Sequence, residues 1–213
     1  MDQQAADRGY FHFADLNAAK YERDVSWWDG AFTFDDVQKI KALGMELPEH
    51  PGETSGDSGD TEHVRRCTVR WFENNEKTAW VYDRLCGVAR DLNAQYFGFD
   101  LWGFEVFQFT TYDAKRNNQT EYYDWHVDMR GQPSAGQQFH KRSQRKLSLV
   151  LQLSDAHEYE GGELWVHNVS KAVAAKINGR VTVFPSYALH RVTPVTSGIR
   201  HTLVAWAFGP DFR

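Results

Sequence analysis

The side chains best placed for chemistry fall in two stretches, YYDWHVDM and LHRVTPVTSGIR. The first holds His126 and Asp128 as an H-x-D pair. On a strand, positions i and i+2 project from one face about 7 Å apart, so an imidazole nitrogen and a carboxylate oxygen can converge on one small ion. The second holds His190, 64 residues after His126, a separation that in a sandwich or barrel can bring a third ligand back beside the first two. Two imidazoles and one carboxylate suit a divalent metal whose remaining coordination positions stay open. With nine histidines in the chain, an H-x-D followed by a later histidine also arises by chance, so spacing alone leaves ordinary polar side chains as an alternative.

Arg200 narrows that choice. It lies ten residues past His190, enough for the chain to finish one strand, turn at Thr196-Ser197-Gly198 and return alongside it. A planar, permanently charged guanidinium beside a metal suits a carboxylate-bearing co-ligand. Thr202, two residues on, shares its strand face.

The elements that must position these groups change character along the chain. TFDDVQKIKALG offers Thr33 as an N-cap with Asp36 three residues on and Gly44 as a stop, predicting a short helix. After a strand at CTVRWF, residues Val81, Leu85, Val88, Ala89 and Leu92 mark one face of a longer helix. From Trp102 onward the period becomes that of strands: WGFEVFQFTTY, YYDWHVD, KLSLVLQLS, GGELWVHN, RVTVF, ALHRVTPV and HTLVAWAF. Strand runs separated by turn-rich loops, without helical crossovers, argue for an antiparallel sandwich or barrel with the N-terminal helices covering one sheet. In LSLVLQL the leucines 147, 149, 151 and 153 share a face suited to packing on helices. Ser148, Val150 and Gln152 face a partly polar interior. PGETSGDSGDTEH, at 51–63, reads as an exposed loop within a single domain spanning 1–213.

Composition excludes several classes. Of 213 residues, 41% are hydrophobic and 15% aromatic, enough to bury a substantial core. The formal charge of -5 supplies no basic field for nucleic acid or anionic membrane. No apolar run approaches the roughly 18 residues of a membrane span, and the N-terminus carries no secretory pattern. Two cysteines, Cys67 and Cys86, are too few for a disulfide framework and suit a reducing cytoplasm.

HVD at 126–128, YEGGEL at 159–164, FPSYALHRVTPVTSGIR at 184–200 and Trp206 together resemble the 2-oxoglutarate and Fe(II)-dependent dioxygenases of the prolyl-4-hydroxylase-like class, closest to the bacterial PKHD-type hydroxylases. The resemblance covers about 102–208, and 1–100 is similar only as a helical support region. It implies a double-stranded β-helix, or jelly roll, with N-terminal helices packed on its major sheet. It makes His126, Asp128 and His190 the iron ligands and Arg200 the anchor for the distal carboxylate of 2-oxoglutarate, with Tyr112, Gln152 and Thr202 as further co-substrate contacts. The implied cofactors are Fe(II), 2-oxoglutarate and O2, and the class admits ascorbate as a reductant. The implied reaction hydroxylates an unactivated C–H bond and releases succinate and CO2. Relatives that halogenate lack the carboxylate seen here as Asp128. The class favours peptidyl proline, with other peptide, protein or small-molecule substrates open. This chain departs from the family in inserting DAKRNNQTE after Tyr112. A jelly-roll binding module holding a structural metal is the alternative from another class.

Other residues have plainer readings. Gly161 and Gly162 suit a tight turn. His201 must face away from Arg200 on a strand and is expected not to be a ligand. The stretch 129–146, with Lys141, Arg142, Arg145 and Lys146, reads as a solvated basic loop that could also meet substrate.

Overall fold

The fold was analysed in a computed structural model, which describes residues 24–52, 64–116, 119–129, 143–167 and 171–212. Strand β1 (Ser26–Trp28) precedes helix α1 (Phe34–Met45). Thr33 caps this helix as its spacing predicted: its hydroxyl accepts from the Asp36 amide at 3.2 Å, and the Asp36 carboxylate accepts from the Thr33 amide at 3.1 Å. Gly44 does not stop the helix, which continues to Met45. Its lack of a side chain serves packing instead, because a Cβ there would overlap the Phe109 ring.

Three short strands follow, β2 (His50–Pro51), β3 (Arg65–Arg66) and β4 (Thr68–Phe72), and then helix α2 (Ala79–Leu92). The five apolar residues picked out by helical spacing, Val81, Leu85, Val88, Ala89 and Leu92, are the buried ones of α2. The helix closes through a π-helical turn at Asn93–Phe97 that ends on Gly98 in the left-handed region.

The remaining strands are β5 (Gly103–Phe104), β6 (Phe107–Asp113), β7 (Tyr122–His126), β8 (Ser143–Gln152), β9 (Tyr159–Gly161), β10 (Leu164–His167), β11 (Lys171–Val173), β12 (Val181–Pro185), β13 (Leu189–Val192) and β14 (Val195–Pro210). Among the described residues they form two antiparallel sheets. The major sheet runs β1-β12-β8-β14-β6-β4-β2, with β5 and β9 pairing along β14. The minor sheet runs β11-β10-β13-β7-β3. The jelly roll predicted from the resemblance is the observed fold.

Alternation on β8 sorts the two cores. Leu147, Leu149, Leu151 and Leu153 join the buried cluster with α1, α2, Phe107, Phe109 and Leu203. Each buried leucine stabilises the fold by about 2 kcal/mol through area removed from water. The opposite face looks between the sheets, where Val150 joins Tyr112, Leu164, Val166, Phe184 and Val192.

Two expectations about loops are corrected. The chain does not turn at Thr196-Ser197-Gly198 and return along β13; β13 and β14 lie in different sheets. The crossing comes earlier, at Thr193-Pro194, where the Pro194 carbonyl accepts from Gly162 and the Val195 amide donates to Glu121. Thr196 to Gly198 belong to β14 and pair in part with β9. Nor is all of 129–146 a loop, because Ser143 to Lys146 begin β8. Arg145 and Lys146 are buried there, Arg145 against Glu105 and Lys146 over the Phe212 ring. Lys141, Arg142 and most of 51–63 lie outside the described residues.

Candidate active site

Strand pairing brings the two histidines together. β7 and β13 are antiparallel neighbours in which His126 and His190 are direct partners, and their ring centroids are 4.0 Å apart. Asp128 arrives differently from its expected place on a strand face, since β7 ends at His126. The chain beyond is held by the Ser186 carbonyl, which accepts from the amides of Asp128 at 2.9 Å and Met129 at 3.0 Å. The carboxylate then lies 3.7 Å from His126 Nε2 through Oδ1 and 3.3 Å from His190 Nε2 through Oδ2. Three possible ligand atoms fall within 4.8 Å of one another.

Hydrogen bonding prepares both imidazoles to donate lone pairs from Nε2. His126 Nδ1 lies 2.7 Å from the Asp124 carbonyl, and His190 Nδ1 lies 2.9 Å from the Ala188 carbonyl. A carbonyl only accepts, so each Nδ1 carries the proton and each Nε2 is turned toward the Asp128 carboxylate. Burial, reinforced by the neighbouring His190, pushes His126 down to about 3. Burial alone would raise Asp128, but the charge and hydrogen bond of His190 hold its carboxyl well below the usual carboxylate range. His190 moves up in turn: burial opposes, and the Asp128 charge prevails. The two shifts run in opposite directions because each group stabilises the charge of the other.

The donor set fits Fe(II): two neutral imidazoles and one carboxylate leave room for further ligands. Arg200 lines the same cavity as this triad, together with Tyr112, Thr202, Gln108, Tyr123, Val204 and Trp206. It is the cross-strand partner of Tyr112, and its guanidinium carbon lies 5.5 Å over that ring. Only 3% exposed, Arg200 has no acidic partner among the described residues, and its Nε has no hydrogen-bond partner. A buried guanidinium without a counter-charge is costly to hold in a protein interior, and a carboxylate entering the cavity would satisfy it.

The glycines read as turn formers do more than turn the chain. Gly161 and Gly162 both have positive φ, at 71° and 63°. A Cβ on Gly162 would lie 3.1 Å from Arg200 Cδ, so the bare backbone leaves space for the arginine stem. Gln152 sits apart from the triad, in a small recess that shares Arg200, and donates to Tyr159 Oη at 3.0 Å and the Ser154 carbonyl at 2.8 Å.

Sequence reasoning gave no role in the site to Tyr123, Arg65 or Ser148, which surround the triad. Tyr123 stacks flat on His126 at 3.4 Å, and Arg65 lies 4.5 Å over Tyr123 while its Nε donates to Cys67 Sγ at 3.0 Å. Ser148 donates to Asp128 Oδ2 at 2.7 Å. The polar face assigned to β8 was a usable signal for Ser148. Arg65 sits in a two-residue strand with no periodicity to read.

His201 faces the opposite side of β14, as alternation required. Its Nδ1 lies 3.1 Å from Thr111 Oγ1 and its ring 5.4 Å from that of Phe109. Burial, with Lys41 close by, pushes it down to about 4. A histidine whose folded value lies below its unfolded value of 6.5 binds fewer protons when folded, so stability drops as pH falls from 6.5 toward 4. The loss across that window is on the order of 2 kcal/mol, allowing for partial exposure. Chemical denaturation of the parent and of His201→Gln at several pH values checks this. The variant shows the flatter dependence, and coincident slopes would refute the assignment.

Residues 107–208 match the 2OG-Fe(II) oxygenase superfamily. A PKHD-type hydroxylase of Synechococcus sp. (strain CC9902) is 38% identical over 85 residues, covering 39% of this chain and 35% of the relative. The chain thus spans about a third of the length of that curated relative. A solved Pseudomonas putida prolyl-4-hydroxylase shares the fold at a TM-score of 0.66 with 18% identity, covering 90% of this chain and 95% of that one. A Trichoplax adhaerens prolyl hydroxylase, solved with a hypoxia inducible factor oxygen degradation domain peptide fragment, gives a TM-score of 0.67 with 15% identity, covering 88% and 84%.

Proposed function

We propose, because residues 107–208 match the 2OG-Fe(II) oxygenase superfamily, that this protein is an oxygenase of that kind and hydroxylates an unactivated C–H bond of a peptide substrate. One atom of O2 enters the new hydroxyl and the other enters succinate, with CO2 released from 2-oxoglutarate. The observation that carries this reading is the buried Arg200, without an acidic partner among the described residues, in the same cavity as His126, Asp128 and His190.

His126, Asp128 and His190 would hold Fe(II). Arg200 would take the distal carboxylate of 2-oxoglutarate, with Tyr112 and Thr202 beside it and Gln152 bracing the recess behind. Bound Fe(II) and 2-oxoglutarate supply the activation of O2 and the removal of hydrogen from substrate carbon. The protein's own contribution is orientation and exclusion of water. Backbone carbonyls fix both imidazole rings, Val150, Leu164, Val192 and Val204 keep the cavity walls apolar, and Tyr123 braces His126.

Peptidyl proline is the substrate we put first, because prolyl hydroxylases share this fold and one of them was solved with a peptide. Ascorbate would serve to keep the iron reduced. Both Cys67 and Cys86 are free, which suits a cytoplasmic location, and no helix among the described residues is long and apolar enough to cross a membrane.

The test is direct. Purified protein supplied with Fe(II), ascorbate and 2-oxoglutarate is expected to form succinate, and proline-containing peptides to gain one oxygen atom by mass spectrometry in a 2-oxoglutarate-dependent manner. Succinate with oxygen on another residue or molecule would keep the enzyme and change its substrate. Protein that neither binds nor decarboxylates 2-oxoglutarate would leave the binding-module alternative standing.

A further inference from the structure

Asp128 lies beyond the end of β7, so strand geometry does not set the rotation of its carboxylate. Two serines of the major sheet and its adjoining turn do. Ser148 on β8 and Ser186, just after β12, are both fully buried. Ser148 Oγ lies 2.7 Å from Asp128 Oδ2 and 3.0 Å from Ser186 Oγ. An ionised carboxylate only accepts, so the single hydroxyl proton of Ser148 goes to Oδ2. The contact between the serines must then be donated by Ser186. The relay has one direction, from Ser186 through Ser148 to Asp128.

Resting on the reading of the triad as an Fe(II) site, we propose that Ser148, oriented by Ser186, is a positioning residue that makes Asp128 a one-oxygen ligand. Oδ2 already donates electron density to the Ser148 hydroxyl, which makes Oδ1, the oxygen that takes no serine, the stronger donor to a cation. A carboxylate free to rotate could present both oxygens and fill a coordination position that the reaction needs open. The surroundings support a steering role for Ser148. Its cross-strand partners are Phe184 and Trp206, both buried. Ser186 clamps the same ligand a second time, through the carbonyl that accepts from the Asp128 and Met129 amides. Sheet and ligand are thereby joined at one point, and the carboxylate inherits the rigidity of β8 and β12.

The test uses Co(II), whose visible spectrum reports coordination number, titrated into the metal-free protein. Removing a partner one shell out from a metal costs about 10- to 100-fold in affinity, and Ser148→Ala is expected to show that loss with an altered visible spectrum. Ser148→Thr, which keeps the hydroxyl, is expected to bind like the parent. Ser186→Ala is expected to lose less than Ser148→Ala, and the double variant to be no weaker than Ser148→Ala alone, because Ser186 acts through Ser148. Melting of each metal-free variant separates damage to the fold from damage to the site. Parent-like affinity and spectrum in a folded Ser148→Ala, or a Ser148→Thr as weak as it, would overturn the proposal while leaving the metal site in place. If Ser148→Ala does not fold, a folded Ser148→Thr that binds more weakly than the parent, or a folded Ser186→Ala that binds like it, would overturn the proposal. A parent protein that binds no Co(II) would overturn the metal-site reading itself.

Discussion

Asp128→Asn is expected to abolish 2-oxoglutarate turnover and to weaken metal binding by about two to four orders of magnitude, the scale of 3–5 kcal/mol seen when one partner of a buried charged set is removed. The asparagine is the informative replacement because it keeps the shape of the carboxylate and can still accept from Ser148. What it removes is the negative charge that holds His190 and would offset a divalent cation. Without that charge, His190 returns toward its ordinary titration range or below it, since burial is then the main influence left. Calorimetric titration with Co(II), alongside a succinate assay, checks both arms. Turnover that survives in Asp128→Asn would mean that the chemistry does not pass through this triad.

Arg200→Met separates affinity for co-substrate from affinity for metal. The guanidinium is buried opposite Tyr112 with no acid beside it among the described residues, so its favourable partner arrives only with a ligand. Removing it should raise the KM for 2-oxoglutarate by about 100- to 1000-fold, as for loss of one member of a buried ion pair. Metal affinity measured without 2-oxoglutarate should stay at the parent value. The ligand-free variant should also melt higher than the parent, because methionine fills the space without the desolvation cost of an unpaired charge. A gain of about 1–4 kcal/mol is the range for such replacements, or roughly 2–4 °C per kcal/mol for a protein of this size. Adding 2-oxoglutarate to the metal-loaded proteins should then stabilise the parent further and leave metal-loaded Arg200→Met unmoved. A variant whose KM for 2-oxoglutarate matches the parent would remove Arg200 from the site.

The sequence was most informative where one residue type and one period decide the outcome. The α2 stripe, the inward and outward faces of β8 and the outward turn of His201 all follow from periodicity, and the structure has them as read. The H-x-D spacing singled out two residues that the structure does bring together, but by another route. It placed Asp128 on a strand, whereas the strand ends two residues sooner and hydrogen bonds from β8 and the turn after β12 do the placing. The step from β13 to β14 was misread for a related reason. Thr-Ser-Gly looks like a turn locally, but only the pairing of Ser197 and Gly198 with β9 shows that the chain has already changed sheets. Arg65 was invisible to sequence reasoning because its partners, Cys67 and Tyr123, matter only once β3 lies beside β7. Periodicity reports a residue's face; it carries no information on which distant strand lies across from it.

Strand β14 has a consequence for how the protein reaches its native state. It pairs with β5, β6, β8 and β9, which lie far apart in the sequence, and it carries Arg200, Thr202 and Trp206. Such non-local pairing places the chain among slow folders, in the range of milliseconds to seconds, because loops must close before the contacts that reward them exist. During synthesis, β6 and β8 are made first and must wait with exposed edges for the strand that lies between them. The carboxylate pocket therefore cannot exist on a nascent chain until β14 has emerged, and the unfilled slot between β6 and β8 is where an aggregating neighbour would most readily insert.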